Sequence, residues 1–384
     1  MPPDLPLSRR RFLARSSWAL IGVTLAPSLA ACTGQGKDSE AAAKAKRLVI
    51  SSWPLYIDPG TKDDPGSVER FSKQTGIDVT YKEDINDPLA FFSRIQPDLA
   101  AGKRLPQDII VPTYWVAQRL IDLDWVDPLP LSQIPNAANL LPSLDKPSWD
   151  PSGRFSLPWQ TGITGIAYNI EATGRELRSV DDLFDPAFRG KVGFLTEMRD
   201  TIGLLMLADG QDPAKPSFRS AEGAFNRLEQ AKADGQIRAF TGNDYQDDLL
   251  AGNFAACVAW SGDVAQLSLE QPKLRFVVPE SGGIRFADVM VMPKGAPHRD
   301  AAAAWMNFVY DPVNAARIAA AVNYISPVRG VAEILARDPA TAAMARNPLM
   351  FPDAAMERRL TKFGPLSPEE ESRFDARFAA ITGG

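Results

Sequence analysis

Histidine is almost absent from the 384 residues, because His298 is the only one and lies in the turn-like segment 295–298. Metal sites built from several histidines are therefore excluded, and a histidine-based catalytic triad is not expected. A Gly-x-Ser-x-Gly elbow and a glycine-rich phosphate loop are also missing. Two carboxylates such as Glu197 and Asp263 would suit glycoside hydrolysis, which is kept as an alternative without further support. We predict that the chain is not an enzyme and holds no metal or cofactor.

Cysteine is scarce as well, with only Cys32 and Cys257 in the chain. If Cys32 is lipidated, as its surroundings suggest below, no intramolecular disulfide can form. A chain of this length buries enough surface to fold without one. Cys257 lies in the apolar run 255–260, and we predict a buried strand residue there rather than a nucleophile.

The chain has fewer basic than acidic residues, with 42 Lys and Arg and 47 Asp and Glu, which gives a net charge of −5. Residues 1–31 hold four arginines and one aspartate, so the remaining chain carries a net charge of −8. An acidic surface argues against nucleic-acid binding, which needs basic patches. It is compatible with a cationic ligand.

The apolar stretch near the N-terminus is too short for a membrane-spanning helix, which needs about 20 apolar residues. Residues 1–31 begin with the basic run Arg9-Arg10-Arg11, continue through an apolar segment and end in small residues. This order is typical of a secretory signal peptide. We predict that residues 1–31 direct export.

Two short motifs in this region resemble bacterial export signals. Residues 8–13, Ser-Arg-Arg-Arg-Phe-Leu, resemble a twin-arginine signature, and residues 29–32, Leu-Ala-Ala-Cys, resemble a lipobox. The lipobox resemblance implies cleavage before Cys32 and a diacylglyceryl group on its sulfur. The alternative is an ordinary signal peptide with a chance cysteine. Residues 32–45 are small, polar and charged, and we predict a flexible lipidated tether.

After residue 45, short apolar segments alternate with amphipathic helical patterns, which predicts an α/β fold with a mostly parallel sheet. Residues 155–170 are expected to be extended. Ser67 is a predicted helix N-cap, and Gly76 is expected to end that helix. The predicted strands are 47–53, 77–81, 108–111, 192–195, 237–240, 255–260, 274–278 and 289–292, and the main predicted helices are 67–74, 88–101, 221–233 and 299–308.

Roughly 350 residues after the signal suggest two domains. Two α/β lobes in an exported protein favour a Venus-flytrap binding protein, in which hinge closure buries a ligand between the lobes. The chain is expected to cross between lobes near residues 159–164 and 280–288. The predicted division is 46–160 with 286–325 in lobe 1 and 161–285 with 326–384 in lobe 2.

Several predicted strand ends carry an aromatic residue, a carboxylate or both. Aromatic faces attract cations, and carboxylates form charge-assisted hydrogen bonds with ammonium groups. A flexible diamine needs both, namely carboxylates at its ends and flat apolar walls along its methylenes. The residues concerned are Trp53, Tyr56, Tyr114, Glu197, Asp200, Trp260, Asp263, Phe286, Asp288 and Tyr324.

Each of these residues also has a purely structural interpretation. A tryptophan at a strand end is often part of the core. Asp200 and Asp263 could each be only a helix N-cap, and Glu197 could merely pair with Arg199. The recurrence of the pattern at several strand ends favours a site.

From about residue 47 to 330, the sequence resembles the spermidine/putrescine-binding proteins of polyamine ABC importers. The matching stretches are short, but they occur in the family's order and spacing. They are Ser52-Trp53 with Tyr56, residues 108–114, 158–159 with 165–169, 260–263, 280–288 and 324–327.

The resemblance implies a role for each candidate. Trp53, Tyr114, Trp260, Phe286 and Tyr324 match aromatic residues that wall the polyamine, and Tyr56 matches a tyrosine of the same cleft. Asp263 and Asp288 match aspartates that hold ammonium groups, while Asp200, with Glu197 close by, matches an acid serving the other end or the middle of the ligand. Phe286 is more similar to the putrescine type than to the longer-polyamine type.

The sequence departs from the family pattern at two positions. Pro54 and Leu55 stand where putrescine-type relatives often have small polar or acidic residues, which leaves the exact ligand open. Glu83 and Asp84 are extra acids near the predicted cleft, and we interpret them as surface charge.

The resemblance implies that the protein captures a polyamine, putrescine or spermidine, on the outer side of the cytoplasmic membrane. It would pass the ligand to permease subunits driven by a cytoplasmic ATPase, as a monomer held at the membrane only by its lipid. Another amine, an amino-acid derivative or a sugar is the alternative ligand. Ferric-ion binding usually needs several tyrosines together, and the seven tyrosines here are scattered.

Overall fold

The computed structural model describes residues 46–383. The predicted signal peptide at 1–31, the lipidation site Cys32 and the tether at 32–45 lie outside the described residues.

Eleven strands form one mixed sheet in the part of the chain that is described. The order across the sheet is β2-β1-β3-β10-β5-β8-β6-β7, with β4 and β11 also pairing with β10 and β9 pairing with β5. The strands are β1 Arg47–Ser52, β2 Asp78–Glu83, β3 Ile109–Ile110, β4 Val126–Asp127, β5 Ser156–Asn169, β6 Val192–Leu195, β7 Ile237–Thr241, β8 Ala256–Trp260, β9 Leu274–Val277, β10 Gly283–Pro293 and β11 Leu360–Thr361.

Two parallel groups of strands flank a central antiparallel pair. β1 pairs in parallel with β2 and β3, and β6 pairs in parallel with β7 and β8. The long strands β5 and β10 run antiparallel to each other between the two groups. The prediction of a mostly parallel sheet is therefore wrong, because these two strands also pair antiparallel with β3, β4, β8 and β9. All 14 residues of β5 are buried, because helices and loops cover both faces of the sheet centre.

The helices begin and end at the signals that the sequence carries. Asp87 caps the second helix by accepting the Ala90 N–H at 2.8 Å, and Gly76 ends the first in the left-handed conformation. Within residues 46–383 the helices are α1 Ser67–Thr75, α2 Pro88–Ala100, α3 Tyr114–Asp122, α4 Ile170–Thr173, α5 Met198–Ala208, α6 Glu222–Ala233, α7 Tyr245–Ala251, α8 Ser261–Glu270, α9 Arg299–Val309, α10 Pro312–Val322, α11 Val331–Leu335, α12 Ala354–Glu357 and α13 Pro368–Thr382.

The predicted strands and helices are confirmed, with two corrections. β10 begins at Gly283 rather than at 289, because pairing with β5 and β11 holds a segment whose charged residues interrupt the apolar pattern. Ser67 is not the N-cap of α1, since Gly66 holds that position. The carboxylate of Asp58 instead accepts the Ser67 N–H at 3.0 Å.

Cys257 is completely buried in β8, as predicted. None of the described helices is long and apolar enough to cross a bilayer. The described residues form a single compact unit, and the predicted division into lobes stays a prediction.

Candidate functional site

A narrow cavity lies where the carboxyl ends of the two parallel groups meet the central strands. Trp53 follows β1, Thr113 follows β3, Glu197 follows β6 and Trp260 ends β8. Carboxyl ends of parallel strands are where ligands of such sheets bind. The lining residues are Trp53, Tyr56, Pro88, Thr113, Tyr114, Trp115, Glu197, Arg199, Asp200, Asn243, Trp260, Phe286 and Asp288.

Aromatic rings form the walls of this cavity, and neighbouring groups hold them in place. The ring centroid of Trp260 lies 6.3 Å from that of Trp53 and 6.1 Å from that of Phe286, both in edge-to-face geometry. The indole N–H of Trp53 donates to the Val111 carbonyl at 2.9 Å. Such fixed rings offer flat apolar faces that need no rearrangement to receive a ligand.

Asp288 supplies one carboxylate to the cavity from β10 and is 3% exposed. The Tyr56 hydroxyl donates to its Oδ2 at 2.6 Å. Burial raises the pKa of Asp288 to about 7, and the nearby charge of Asp200 adds to this, while the Tyr56 hydrogen bond opposes it. A cation bound beside Asp288 would reverse that shift.

Asp200 and Glu197 supply two more carboxylates from the start of α5. The indole N–H of Trp260 donates to Asp200 Oδ2 at 2.7 Å. Trp115 Nε1 donates to Glu197 Oε2 at 3.2 Å. Burial raises the pKa of both acids, and the charge of Asp200 raises that of Glu197 further. The cavity therefore holds more acids than bases, and their charged forms are disfavoured until a cation binds.

The structure does not bear out the purely structural interpretations of these two acids, an N-cap role for Asp200 and an ion pair between Glu197 and Arg199. Glu197, not Asp200, is the N-cap of α5, where its Oε1 accepts the Arg199 N–H at 3.0 Å. The Arg199 guanidinium does not pair with Glu197. It is hydrogen-bonded to Glu371 and lies 3.9 Å from the centroid of the Trp115 ring.

Asp263 and Tyr324 lie behind the cavity wall rather than in it. The Tyr324 hydroxyl donates to Asp263 Oδ1 at 2.6 Å. The other carboxylate oxygen accepts from Tyr245 at 2.9 Å and from Gln246 at 2.8 Å. Burial raises the pKa of Asp263 to about 6 against these hydrogen bonds. Asp263 is also not an N-cap, since Trp260 precedes α8, and its direct contact with an ammonium group stays a prediction.

Tyr324 still contributes to the site through the residue it packs against. Its ring lies 4.9 Å from the ring of Tyr56, measured between centroids. It thereby supports the hydroxyl that contacts Asp288. The structure thus brings eight of the ten predicted site residues to one cavity and places the other two directly behind it.

Sequence reasoning missed five lining residues. Thr113 and Trp115 flank the predicted Tyr114 after β3, and Asn243 follows the parallel strand β7. Their position just after strand ends was a usable signal. Pro88 and Arg199 carried no such signal, because their side chains reach the cavity through the placement of α2 and α5.

Leu55 and the two extra acids, Glu83 and Asp84, have structural roles. Leu55 is buried with a positive φ of 62°, and its N–H donates to Glu83 Oε1 at 3.2 Å. Asp84 pairs with Arg94 at 3.2 Å. Neither acid lines the cavity, in line with the interpretation as surface charge.

Comparison with known proteins yields a consistent set of relatives. The family described as "Bacterial extracellular solute-binding protein" matches residues 66–352. The putrescine-binding periplasmic protein PotF of Escherichia coli K12 is 28% identical over 339 residues, covering 83% of this chain and 86% of the relative. The putrescine-binding periplasmic protein SpuD of Pseudomonas aeruginosa is 26% identical over 395 residues, covering 97% and 100%.

Solved structures agree with this set. The spermidine/putrescine ABC transporter substrate-binding protein PotD of Streptococcus pneumoniae superimposes with a TM-score of 0.71 at 25% identity, covering 88% of this chain and 98% of PotD. Structures of this type are two-lobed α/β proteins, which confirms the predicted fold class.

Proposed function

This chain belongs to the bacterial extracellular solute-binding protein family, and we propose that it captures a polyamine and delivers it to the permease of an ABC importer. Relatives over most of its length are named for putrescine or spermidine binding. The proposed mechanism is binding and release without chemistry on the ligand.

The observation that carries this proposal is the set of three buried carboxylates around one aromatic-walled cavity. Glu197, Asp200 and Asp288 all have raised pKa values because burial penalises their charged forms. A ligand with two ammonium groups would stabilise the charged carboxylates, and its methylenes would pack on the rings. A neutral sugar would leave the buried charges without a partner, which is costly.

Putrescine is the preferred polyamine in this proposal. The cavity is narrow, and Phe286 occupies one wall at 7% exposure. The relatives PotF and SpuD are both named for putrescine.

The ligand class is tested by calorimetric titration of the protein lacking residues 1–32 with putrescine, spermidine, an uncharged sugar and an amino acid. We expect a polyamine to bind with a Kd of about 1 μM or tighter, corresponding to about −8 kcal/mol, and the sugar to produce no heat. If only the sugar or the amino acid produced heat, the binding-protein function would stand and the assignment of a polyamine as the ligand would be wrong.

We further propose that the lobes hinge on β5 and β10 near residues 159–164 and 280–288, and that the described arrangement is a closed one. Contacts between the two predicted lobes support this. The Asn243 N–H donates to the Asn86 carbonyl at 2.9 Å, and the Thr196 hydroxyl donates to Asp87 at 2.6 Å. The closed monomer would then dock on the permease, with a cytoplasmic ATPase driving import.

Export and lipid anchoring at Cys32 complete the proposal. Cys32→Ser would remove the thiol that carries the lipid, and two or more acyl chains are what stable attachment requires. We expect the wild-type protein in the membrane fraction and the variant in the soluble extracytoplasmic fraction, measured by immunoblotting. Cys257→Ser is the matched control, since that thiol is buried. Membrane retention of Cys32→Ser would contradict the anchor.

A further inference from the structure

A second and larger cavity adjoins the candidate site. Its volume is about 700 Å³, which is the size of a site for a ligand considerably larger than a diamine. The two cavities share Tyr114, Trp115, Arg199 and Phe286 as lining residues. A ligand could therefore extend from one into the other. We call the larger cavity the outer chamber, defined by Trp149 and its charged lining residues Arg119, Asp122, Arg199, Arg285, Lys362 and Glu371.

The outer chamber and the candidate site have opposite charge. The candidate site has Glu197, Asp200 and Asp288 against Arg199 alone. The charged lining of the outer chamber is four cations, Arg119, Arg199, Arg285 and Lys362, against the two carboxylates Asp122 and Glu371. The chamber is thus a poor place for a second ammonium group and a favourable one for an anion.

Within the described residues, three of these cations have a carboxylate partner, and the exposed Lys362 has none. Glu371 pairs with both Arg119, at 2.9 Å, and Arg199, and Arg285 pairs with Glu357 at 2.6 Å. Among residues 46–383, Lys362 forms no salt bridge. Its ammonium lies 5.6 Å from the centroid of the Trp149 ring.

A second group in the chamber is also without a partner, and it too is a donor. Trp149 is 2% exposed, and its indole N–H makes no hydrogen bond within the described residues. A buried donor without a partner costs free energy, so an acceptor from a ligand would be favoured there. Both free groups, Lys362 and Trp149, can serve a carboxylate and neither can serve an amine.

We propose that the outer chamber receives an anionic group of the ligand, so that the protein takes an amine carrying a carboxylate on its far end, such as a diamine acylated at one nitrogen by a dicarboxylic acid. The free ammonium would lie between the carboxylates of the candidate site, and the carboxylate would contact Lys362 and Trp149. This inference rests on the proposed amine-binding function of the candidate site.

The test compares two ligands that differ only in the distal charge. N-succinylputrescine has a free amine and a terminal carboxylate, whereas N-acetylputrescine has the same amine and a neutral tail. By calorimetry with the protein lacking residues 1–32, we expect the succinyl compound to bind about tenfold tighter. Lys362→Gln should abolish this preference. The control Lys273→Gln should keep it, since Lys273 pairs with Glu171 and lines neither cavity.

The outcomes separate this inference from the proposed function. Equal binding of the two acylated compounds, or an unchanged preference in Lys362→Gln, overturns the anionic subsite. If putrescine nevertheless binds, the proposed function is still supported. If the succinyl compound binds and putrescine does not, the anionic subsite is supported, and the proposed ligand changes from putrescine to the acylated diamine. If no amine binds, the proposed function and the subsite both fall.

Discussion

Asp288→Asn is expected to weaken putrescine binding by about 2–4 kcal/mol, the cost of leaving an ammonium group without its charged partner in a closed cavity. Asp288 is 3% exposed, and the Tyr56 hydroxyl donates to its Oδ2 at 2.6 Å. Its carboxylate therefore keeps acceptor capacity for a ligand. The measurement is the Kd by calorimetry, where the loss corresponds to about 30- to 1000-fold.

The matched control for Asp288→Asn is Asp84→Asn. Asp84 is also an acid beside a strand end, but it pairs with Arg94 and does not line the cavity. Its replacement removes the same net charge and should leave the Kd within about threefold. If Asp288→Asn bound putrescine like the wild type, the site assignment would be wrong, whatever the ligand class.

Putrescine affinity is expected to fall steeply as the pH decreases below about 7. Burial raises the pKa of Asp288 to about 7 in the ligand-free protein, so the carboxyl is largely protonated below that pH. A bound ammonium group favours the charged carboxylate and thus expels the proton. For each proton that is released on binding, the affinity falls by up to about tenfold for every unit by which the pH decreases.

Proton release can be measured directly. Titrations near pH 6 in buffers of different ionisation enthalpy should report about one proton or more released per putrescine, and Asp288→Asn should release about one proton fewer. An affinity independent of pH between about 5 and 8 would contradict the prediction that the ligand contacts these carboxylates.

The Asp288 carboxyl also makes the stability of the ligand-free protein depend on pH, and this dependence has the opposite sign to that of the putrescine affinity. Its folded pKa of about 7 lies above its unfolded value of about 4. Protonation is therefore easier in the folded state. The stabilising contribution is complete below the unfolded pKa and is lost as the pH rises through about 7. Above that pH, bound putrescine would stabilise the charged carboxylate instead.

Much of the fold was predictable from local patterns. The run 192–195 and the helix that buries Ile95 and Leu99 have the periodicities of their elements, and both appear as β6 and α2. The full length of β10 was not predictable, because Arg285 and Asp288 interrupt its apolar pattern and only pairing with β5 holds that part as strand.

Most of the site was predictable for a related reason. Parallel strands of one group end at the same edge of the sheet, so an aromatic residue or acid that follows such a strand lies near its counterparts. Trp53, Glu197 and Trp260 came together in this way. Arg199 could not be foreseen, since its partner Glu371 is 172 residues away in the chain.

The sequence by itself determined the class of chemistry. One histidine excludes metal sites built from several histidines, and acids and aromatic residues at strand ends predict a cavity for a cation. Only the tertiary structure decided which acids face that cavity. Asp263 and Asp288 look alike in sequence, but Tyr245, Gln246 and Tyr324 occupy both oxygens of Asp263, while Asp288 remains at the cavity. The reason is physical, because a buried carboxylate takes its hydrogen bonds from whichever donors the packing of distant segments brings to it.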